Sequence, residues 1–355
     1  MESKNMKMWL FRSNLRPLEP YHSIEDIETF KKECHDFYLL QLIWYLENDY
    51  IDEAVVWRLR PKDEHQTIKN KHWKVNGKWF SQVWVDNFEE CIRDPWFPAR
   101  PRKADISFFR GGFPEYDKLT KHKNSDLLGI KLYLGAGQRI YPKHGGEYDK
   151  FLIEEEVTFG KNTVPFYKTA SPNIFYPRVP MESTIYDLCY IANFSQLSYK
   201  GQEQFIKQVS ESAYLKSLNI VHLGNKPDIG KKLCRKYNVF NIEFMGWVDK
   251  PEVNKIINQS KFGLVYSNKT DGCPRVITEI LATCTPCLIS ENTRLLNYYK
   301  GPEGGVITFP DNDLESYVST CLNLIFSITE QALEYKYKIS MENICKLNWK
   351  NWTKK

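Results

Sequence analysis

The sequence predicts an α/β protein of two Rossmann-like domains that face each other across a cleft, followed by a C-terminal helix that crosses back to the first domain. Short apolar segments recur along the chain and many of them end in glycine turns, with helix-length segments between them. A proline-rich hinge at 171–180 separates two halves of similar size. The 355 residues are 42% hydrophobic, enough for two cores. We expect domains at 1–178 and 179–328, and the helix within 329–355.

The first half contains a series of predicted strands with fewer recognisable helices between them. A capping-box pattern that starts at Ser23 predicts a helix to about Asn48. The charged segment 62–74 is typical of a surface excursion, and Asn76-Gly77 predicts the turn of a small hairpin. The predicted strands lie at 8–11, 54–59, 79–85, 104–109, 130–134, 150–153 and 164–168.

Two of these strands run into glycine turns, Arg110-Gly111-Gly112 and Gly135-Ala-Gly137. Glycines at a strand end let a ligand approach the backbone closely, although plain tight turns would give the same pattern.

The second half alternates strands and helices regularly over about 150 residues, which indicates a parallel sheet. The predicted strands are 186–192, 219–223, 242–244, 261–267, 287–290 and 305–309. The predicted helices are 201–218, 228–237, 251–259 and 313–326. A long helix at 329–352 carries Trp349 and Trp352 near its end, where we expect them to pack on the first domain.

The stretch 271–279 is the most informative part of the chain. It follows an apolar strand and reads as a turn and the start of a helix, with Pro274 expected in the first helical position. The N–H groups of a first helical turn favour an anion. Since Asp271 and Glu279 bracket this anion-binding turn, the pattern indicates a ligand with both phosphate and hydroxyl groups, of which a nucleotide sugar is one.

Composition excludes several other classes of protein. The net charge of +5 is mild and the basic residues are interspersed with acidic ones, which argues against nucleic acid as a partner. The nine cysteines are irregularly spaced, and the one C-x-x-C, Cys284 to Cys287, lacks a second pair at zinc spacing. The amino terminus lacks the apolar core of a signal peptide, and no apolar run reaches ~18 residues. We therefore expect a cytoplasmic protein without a transmembrane segment, at most peripheral to a membrane.

Residues 185–325 resemble the donor-binding domain of GT-B glycosyltransferases, specifically family 4, the retaining glycogen-synthase-like group. The landmarks occur in the family's order, which makes the resemblance specific. They are Tyr190-Ile-Ala-Asn193 with Tyr199-Lys-Gly201, Ile220-Val-His-Leu-Gly224, Phe244-Met-Gly-Trp-Val248, the pair Asp271 and Glu279 eight residues apart, and Thr285-Pro286. The first half is similar to the family only in outline.

The resemblance implies a role for each matching residue. Lys200 would hold the donor diphosphate, Glu279 would accept hydrogen bonds from the ribose hydroxyls, and Asp271 would bind the transferred sugar. A surface lysine and an i,i+4 pair between Glu279 and Arg275 are the simpler readings. The implied catalytic residues are Lys200, Asp271 and Arg275, and the implied donor-binding residues are Asn193, Lys200, Gly224, Gly272, Cys273, Pro274, Arg275 and Glu279.

Three positions depart from the family pattern. Asn193 stands where the family has a loop arginine, so one phosphate-neutralising charge is missing. Arg275 is the best candidate to supply it, and Lys269 is a weaker one. Asp271 replaces a longer glutamate, and Cys284 replaces a glycine. These differences affect donor identity more than the logic of diphosphate binding.

The function implied by the resemblance is transfer of a sugar from a UDP- or GDP-sugar to a hydroxyl of a glycan or other acceptor, with retention and without an obligatory metal or cofactor. Acceptor-side candidates are Arg110, Gly111, Gly112, Gly135 and His144. Other readings are a nucleotide-sugar epimerase or hydrolase of the same fold, a phage-type transferase that glycosylates modified DNA, and a degenerate sugar-binding module. The sequence leaves the donor base, the acceptor and the oligomeric state open.

Overall fold

The structure, a computed structural model, describes most of the chain and forms two units. The first unit comprises Met1–Ile153, Val157–Phe166 and Cys345–Lys355, and the second comprises Glu154–Glu156 and Tyr167–Ile344. The described residues are 5–12, 23–60, 69–93, 103–135, 145–154, 162–177, 184–194, 200–267, 274–301, 304–324 and 336–354. Within them, no helix combines the length and the apolar character needed to cross a membrane.

The described part of the first unit contains an eight-stranded sheet in the order β3-β4-β2-β1-β5-β6-β7-β8. Neighbouring strands are parallel except β3 and β4, as the sequence predicts for an α/β domain. The strands are β1 (Lys7–Arg12), β2 (Glu53–Leu59), β3 (Lys71–Val75), β4 (Lys78–Val85), β5 (Ile106–Arg110), β6 (Ile130–Leu134), β7 (Lys150–Ile153) and β8 (Thr163–Pro165).

Four helices and a short 3-10 helix are described in the first part of this unit. They are α1 (Ile27–Glu33), α2 (Phe37–Glu47), α3 (Glu90–Arg93), α4 (Pro114–Thr120) and the 3-10 helix Ser125–Leu128. The prediction of one helix from Ser23 to about Asn48 is wrong. Asp26 caps α1 through Thr29 N at 2.7 Å, and Asp36 caps a second helix through Tyr38 N at 3.1 Å. A carboxylate that caps adopts extended backbone, so the chain breaks there.

The predicted hairpin at Asn76-Gly77 is confirmed, but its first strand lies inside the segment predicted as a surface excursion. Both turn residues have positive φ, at 48° and 78°, as a two-residue hairpin requires. Trp73 of β3 is buried and stacks on Phe80 of β4, with ring centroids 5.4 Å apart. This aromatic pair gives the otherwise charged strand a reason to join the sheet.

The C-terminal helix α11 (Met341–Thr353) is shorter than the predicted 329–352, of which 325–335 lie outside the described residues. Trp352 is fully buried in the first unit and stacks on Phe166 with 6.0 Å between ring centroids. Trp349 lies 5.1 Å from the ring of Tyr45. These indole contacts add a large apolar area to the core of that unit.

The second unit contains a parallel six-stranded sheet in the order β11-β10-β9-β12-β13-β14. The strands are β9 (Tyr186–Ile191), β10 (Ile220–Leu223), β11 (Ile242–Gly246), β12 (Ser260–Val265), β13 (Cys287–Ser290) and β14 (Val306–Phe309). Each lies within two residues of its predicted bounds. The prediction of a Rossmann-like second domain is therefore confirmed.

Helices cover both faces of this sheet. They are α5 (Gln202–Glu211), α6 (Ala213–Ser217), α7 (Pro227–Tyr237), α8 (Lys250–Asn258), α9 (Arg275–Ala282) and α10 (Leu314–Asn323), with a 3-10 helix at Asn297–Tyr299. The predicted helix 201–218 is two helices, because the side chain of Ser212 accepts a hydrogen bond from Leu215 N at 2.9 Å and caps α6.

Candidate functional site

The second sheet has a topological switch point between its neighbouring strands β9 and β12. Helix α5 follows β9 and packs on one face, with Phe205 and Val209 in the same apolar cluster as Leu188. Helix α9 follows β12 and packs on the other face, where Ile277 joins Cys189. Chains that leave two adjacent strands in opposite directions open a crevice at the carboxyl ends of those strands, where α/β proteins bind ligands.

Lys200 and Gly201 are fixed against the end of β12. Gly201 has a φ of +64° and packs so closely that a Cβ atom there would overlap the carbonyl oxygen of Tyr266. The Tyr190 hydroxyl donates a hydrogen bond to the carbonyl of Lys200 and lies 3.5 Å from that of Tyr266. Helix α5 starts directly after this contact, with Gly201 as its N-cap. Half-buried Lys200 and the positive end of a helix dipole thus occupy one place at the switch point.

Asn193 connects two loops at the carboxyl ends of β9 and β10. Its side-chain oxygen accepts from Asn225 N at 3.0 Å, and its carbonyl accepts from the Gln202 side chain at 2.9 Å. Gly224 lies beside it with a φ of +149°, and a Cβ there would overlap the carbonyl of Ala192. The Asn193 oxygen therefore holds the loops together, and its amide nitrogen is the group that can reach a ligand.

Glu279 lies on α9 and is paired with a residue that the sequence did not indicate. Its Oε1 atom is 2.6 Å from Nζ of Lys250, the first residue of α8. The Glu279 side chain is 13% exposed and that of Lys250 is 41% exposed. Nζ of Lys250 also lies 5.4 Å from the centre of the Phe175 ring. The alternative in which Glu279 pairs with Arg275 is therefore not the arrangement observed. Nothing in the local sequence around Lys250 points to this tertiary contact.

Helix α9 begins one residue later than predicted. Pro274 has extended backbone, with φ −65° and ψ 127°, and is the N-cap, so Arg275 is the first helical residue. The prediction of Pro274 in the first helical position is wrong by one residue, because its ψ angle is not helical. Arg275 is exposed at this helix start.

Asp271, Gly272 and Cys273 lie in 268–273, outside the described residues. The described chain stops before them at Ser267, whose carbonyl accepts from Ser290 Oγ at 3.2 Å and from Thr293 Oγ1 at 3.3 Å. These two hydroxyls fix the end of β12 relative to β13.

His222 is a buried residue of β10 that the sequence analysis did not single out. It is 2% exposed, and the rings of Phe194, Tyr190 and Phe244 surround it at centroid distances of 4.6, 5.4 and 5.4 Å. Burial lowers the pKa of His222 from 6.5 to about 3. The imidazole is therefore neutral at pH 7 and belongs to the core beneath the β10 loop.

The predicted acceptor-side residues of the first unit share the carboxyl ends of β5 and β6. Arg110 ends β5, and its guanidinium carbon lies 5.1 Å from the centre of the Tyr38 ring. Gly111 has a φ of +104°, and its N–H donates to the carbonyl of Leu134 at 2.8 Å. Gly112 and Gly135 follow the same two strands, whereas His144 lies outside the described residues.

Comparison with known proteins agrees with this geometry. Residues 186–326 match the model of the family described as Glycosyl transferases group 1. None of the curated protein sequences matches the chain.

Among solved structures, the chain is similar to the lipopolysaccharide outer core galactosyltransferase WaaB, with a TM-score of 0.64 and 10% identity over 98% of this chain and 99% of that one. It is also similar to sucrose-phosphate synthase from Thermosynechococcus elongatus, with a TM-score of 0.58 and 10% identity over 96% of each chain. The Anabaena protein HepE in complex with UDP-glucose has a TM-score of 0.57 and 12% identity, over 97% of this chain and 98% of that one. At such low identity these likenesses establish the fold, which is GT-B.

Proposed function

We propose that this chain, a GT-B glycosyltransferase that belongs to the glycosyl transferases group 1 family through residues 186–326, moves a sugar from a nucleotide-diphosphate sugar to a hydroxyl of an acceptor. The observation that carries the proposal is the contact of Lys200 and Gly201 with the end of β12. A diphosphate needs a positive charge and backbone N–H donors at one place, and the start of α5 offers both beside the switch point.

Lys200 would act on the leaving group. When the bond between the anomeric carbon and the β-phosphate oxygen breaks, negative charge develops on the released nucleoside diphosphate. An ammonium group held by its own backbone contacts stabilises that charge without reorganising during the reaction. The hydrogen bond from Tyr190 to the Lys200 carbonyl supports this role, because it fixes the backbone from which the side chain extends.

Glu279 would bind the ribose. A mostly buried carboxylate has two oxygens with several acceptor sites, and Lys250 occupies one oxygen, Oε1, at 2.6 Å. The other oxygen can accept from a pair of vicinal hydroxyls. The Lys250 pair keeps the carboxylate charged and oriented, which supports a binding role for Glu279 over a purely structural one.

Arg275 and Asp271 would complete the donor site. Arg275 is exposed at the start of α9, where a guanidinium group and the helix N-terminus both attract phosphate. This position supports Arg275 as the replacement for the loop arginine that Asn193 lacks. Asp271 would bind hydroxyls of the transferred sugar four residues before this helix start.

A uridine nucleotide is the first donor to test. HepE from Anabaena is described in complex with UDP and with UDP-glucose, and its fold is similar to that of this chain. We propose that transfer proceeds with retention at the anomeric carbon and without an obligatory metal, as family 4 resemblance implies. The acceptor hydroxyl would form the new bond on the face that the leaving group vacates, and its proton would pass to the released diphosphate.

The experiment is a thermal-shift screen with uridine, UMP, UDP, GDP and their sugars. A ligand at a hundredfold excess over its Kd stabilises a protein by about 2.7 kcal/mol, which raises Tm by several degrees in a domain of this size. We expect UDP to stabilise more than uridine, and the Lys200→Ala variant to reduce that difference.

Lys207→Ala is the matched control, because Lys207 is an exposed lysine on the same helix and its pair with Glu211 is long, at 3.9 Å. If no nucleotide or nucleotide sugar raises Tm, the donor-site proposal is wrong. Hydrolysis or epimerisation of a bound donor without any acceptor would instead favour the alternative enzyme class.

A further inference from the structure

Three arginines lie side by side at the carboxyl end of the first sheet. Arg12 of β1 is in register with Arg58 of β2 on one side and with Arg110 of β5 on the other. Residues in register on parallel strands project from the same face, and neighbouring strands are about 4.8 Å apart. The three guanidinium side chains therefore start from adjacent positions on one face.

Aromatic rings support these guanidinium groups. The guanidinium carbons of Arg110 and Arg12 lie 5.1 and 5.7 Å from the centre of the same ring, that of Tyr38 on α2. Arg58 is 3% exposed, and its guanidinium carbon lies 5.6 Å from the Trp84 ring. A guanidinium that stacks on a ring keeps its N–H donors in its own plane, where they can form hydrogen bonds beyond the ring edge.

One carboxylate is part of this arrangement. Asp36 forms an ion pair with Arg12 and also caps α2 through the backbone N–H of Tyr38. It therefore orients Arg12 and fixes the helix that carries the Tyr38 ring. The arginine row is thus a built arrangement, with a position set for each member by the fold.

A row of buried arginines is an unusual way to stabilise a sheet. Arginine is rarely fully buried, and like charges at directly opposite positions on neighbouring strands destabilise the pair. Apolar residues of similar volume would stabilise the same place as well or better. A phosphate group with about two negative charges would reduce the repulsion and accept hydrogen bonds from several guanidinium groups at once.

We infer that Arg12, Arg58 and Arg110 bind a phosphate monoester carried by the acceptor of the transfer reaction. The inference rests on the proposed function for the word acceptor, and on the first unit alone for the phosphate site. The arginines lie at the carboxyl ends of their strands, the end at which parallel α/β sheets bind ligands. Gly111 and Gly112 follow Arg110 there and leave room beside the backbone.

The number of arginines favours phosphate over carboxylate. One arginine can satisfy both oxygens of a carboxylate with a bidentate pair, whereas a phosphate monoester offers three terminal oxygens. Three adjacent guanidinium groups match the second case. Both a soluble sugar phosphate and a phosphorylated lipid carry this group.

The first test is calorimetric titration with inorganic phosphate, with sodium chloride at equal ionic strength as the reference. We expect Arg12→Gln and Arg110→Gln each to raise the Kd for phosphate about tenfold or more, the loss typical of one charge-assisted contact. Arg60→Gln is the matched control, because Arg60 lies just beyond the same strand, is 41% exposed and pairs with Asp86 at 3.4 Å. Equal phosphate binding in all three variants would overturn the inference.

Lys200→Ala separates this site from the donor diphosphate site of the second unit. If that variant abolishes phosphate binding while Arg110→Gln leaves it intact, the phosphate binds at the donor site and the inference is wrong. Arginine-dependent phosphate binding in a protein that binds no nucleotide would leave this site standing and reject the proposed donor function. Unchanged Tm and nucleotide binding in Arg12→Gln and Arg110→Gln show that these variants fold.

The second test compares acceptors at a saturating nucleotide sugar. We expect transfer to a hexose 6-phosphate, or to vesicles that contain phosphatidic acid if the natural phosphate is on a lipid, and a loss of this transfer in Arg110→Gln. Either arm supports the inference. Faster transfer to the neutral hexose or to its uronic acid than to both phosphorylated acceptors would overturn it.

Discussion

Replacement of Glu279 by glutamine tests the ribose contact in the donor site. The amide keeps the shape of the side chain but removes the negative charge. A hydrogen bond to a charged group contributes about 1.5–3 kcal/mol, which corresponds to roughly ten- to a hundredfold in Kd. The lost partner costs little stability in itself, since Lys250 is 41% exposed and water can solvate its ammonium group. We therefore expect a large loss of UDP affinity with a small change in Tm.

The assay is calorimetric titration with UDP and with its 2′,3′-dideoxy analogue. The unmodified protein should prefer UDP, and the Glu279→Gln variant should bind the two nucleotides about equally. Glu252→Gln is the control, because Glu252 is a more exposed glutamate that pairs with Lys255 at 2.9 Å on α8. If Glu279→Gln retains the preference for the ribose, the carboxylate does not contact the sugar hydroxyls and its assigned role is wrong.

Three further predictions concern stability. The unfolded chain protonates His222 near pH 6.5 while the folded chain does so only near pH 3, so its contribution to stability falls by about 1.4 kcal/mol per pH unit below 6.5; urea unfolding of His222→Phe should lack this component. Gly201→Ala should lower Tm by several degrees and weaken UDP binding, because its Cβ overlaps Tyr266, whereas Gly301→Ala, with φ +81° and no atom within 4 Å, should cause only the smaller cost of a positive φ. Trp352→Ala should destabilise the first unit by about 3–5 kcal/mol in a denaturant titration, and a change below 1 kcal/mol would contradict its packing role.

The sequence was most informative where the apolar period and the turn residues agree. The strands of the second sheet and the glycines at 201 and 224 could be predicted because strand-end glycines need positive φ. Helix breaks were missed at Asp36 and Ser212, where the apolar pattern continues across the break but a short polar side chain caps a new helix. Capping competes with helix continuation by only about 1 kcal/mol, so pattern alone does not decide it.

The contacts of the candidate sites depend on tertiary structure. The positions of Lys200 and Glu279 near the switch point follow from local motifs, and their assigned roles stay predictions. The Lys250 partner of Glu279 comes from the packing of α8 beside α9, which leaves no local signal. The adjacency of Arg12 and Arg58 depends on strand order and register, and a single sequence records neither.

The most direct test of the donor site is turnover of the nucleotide sugar that gives the largest thermal shift, followed by release of the nucleoside diphosphate. We predict that Lys200→Ala lowers kcat by about a hundredfold or more, as the loss of a group that stabilises leaving-group charge does, and that Lys207→Ala has no effect. Wild-type turnover by Lys200→Ala would contradict the assignment of this switch point as the diphosphate site.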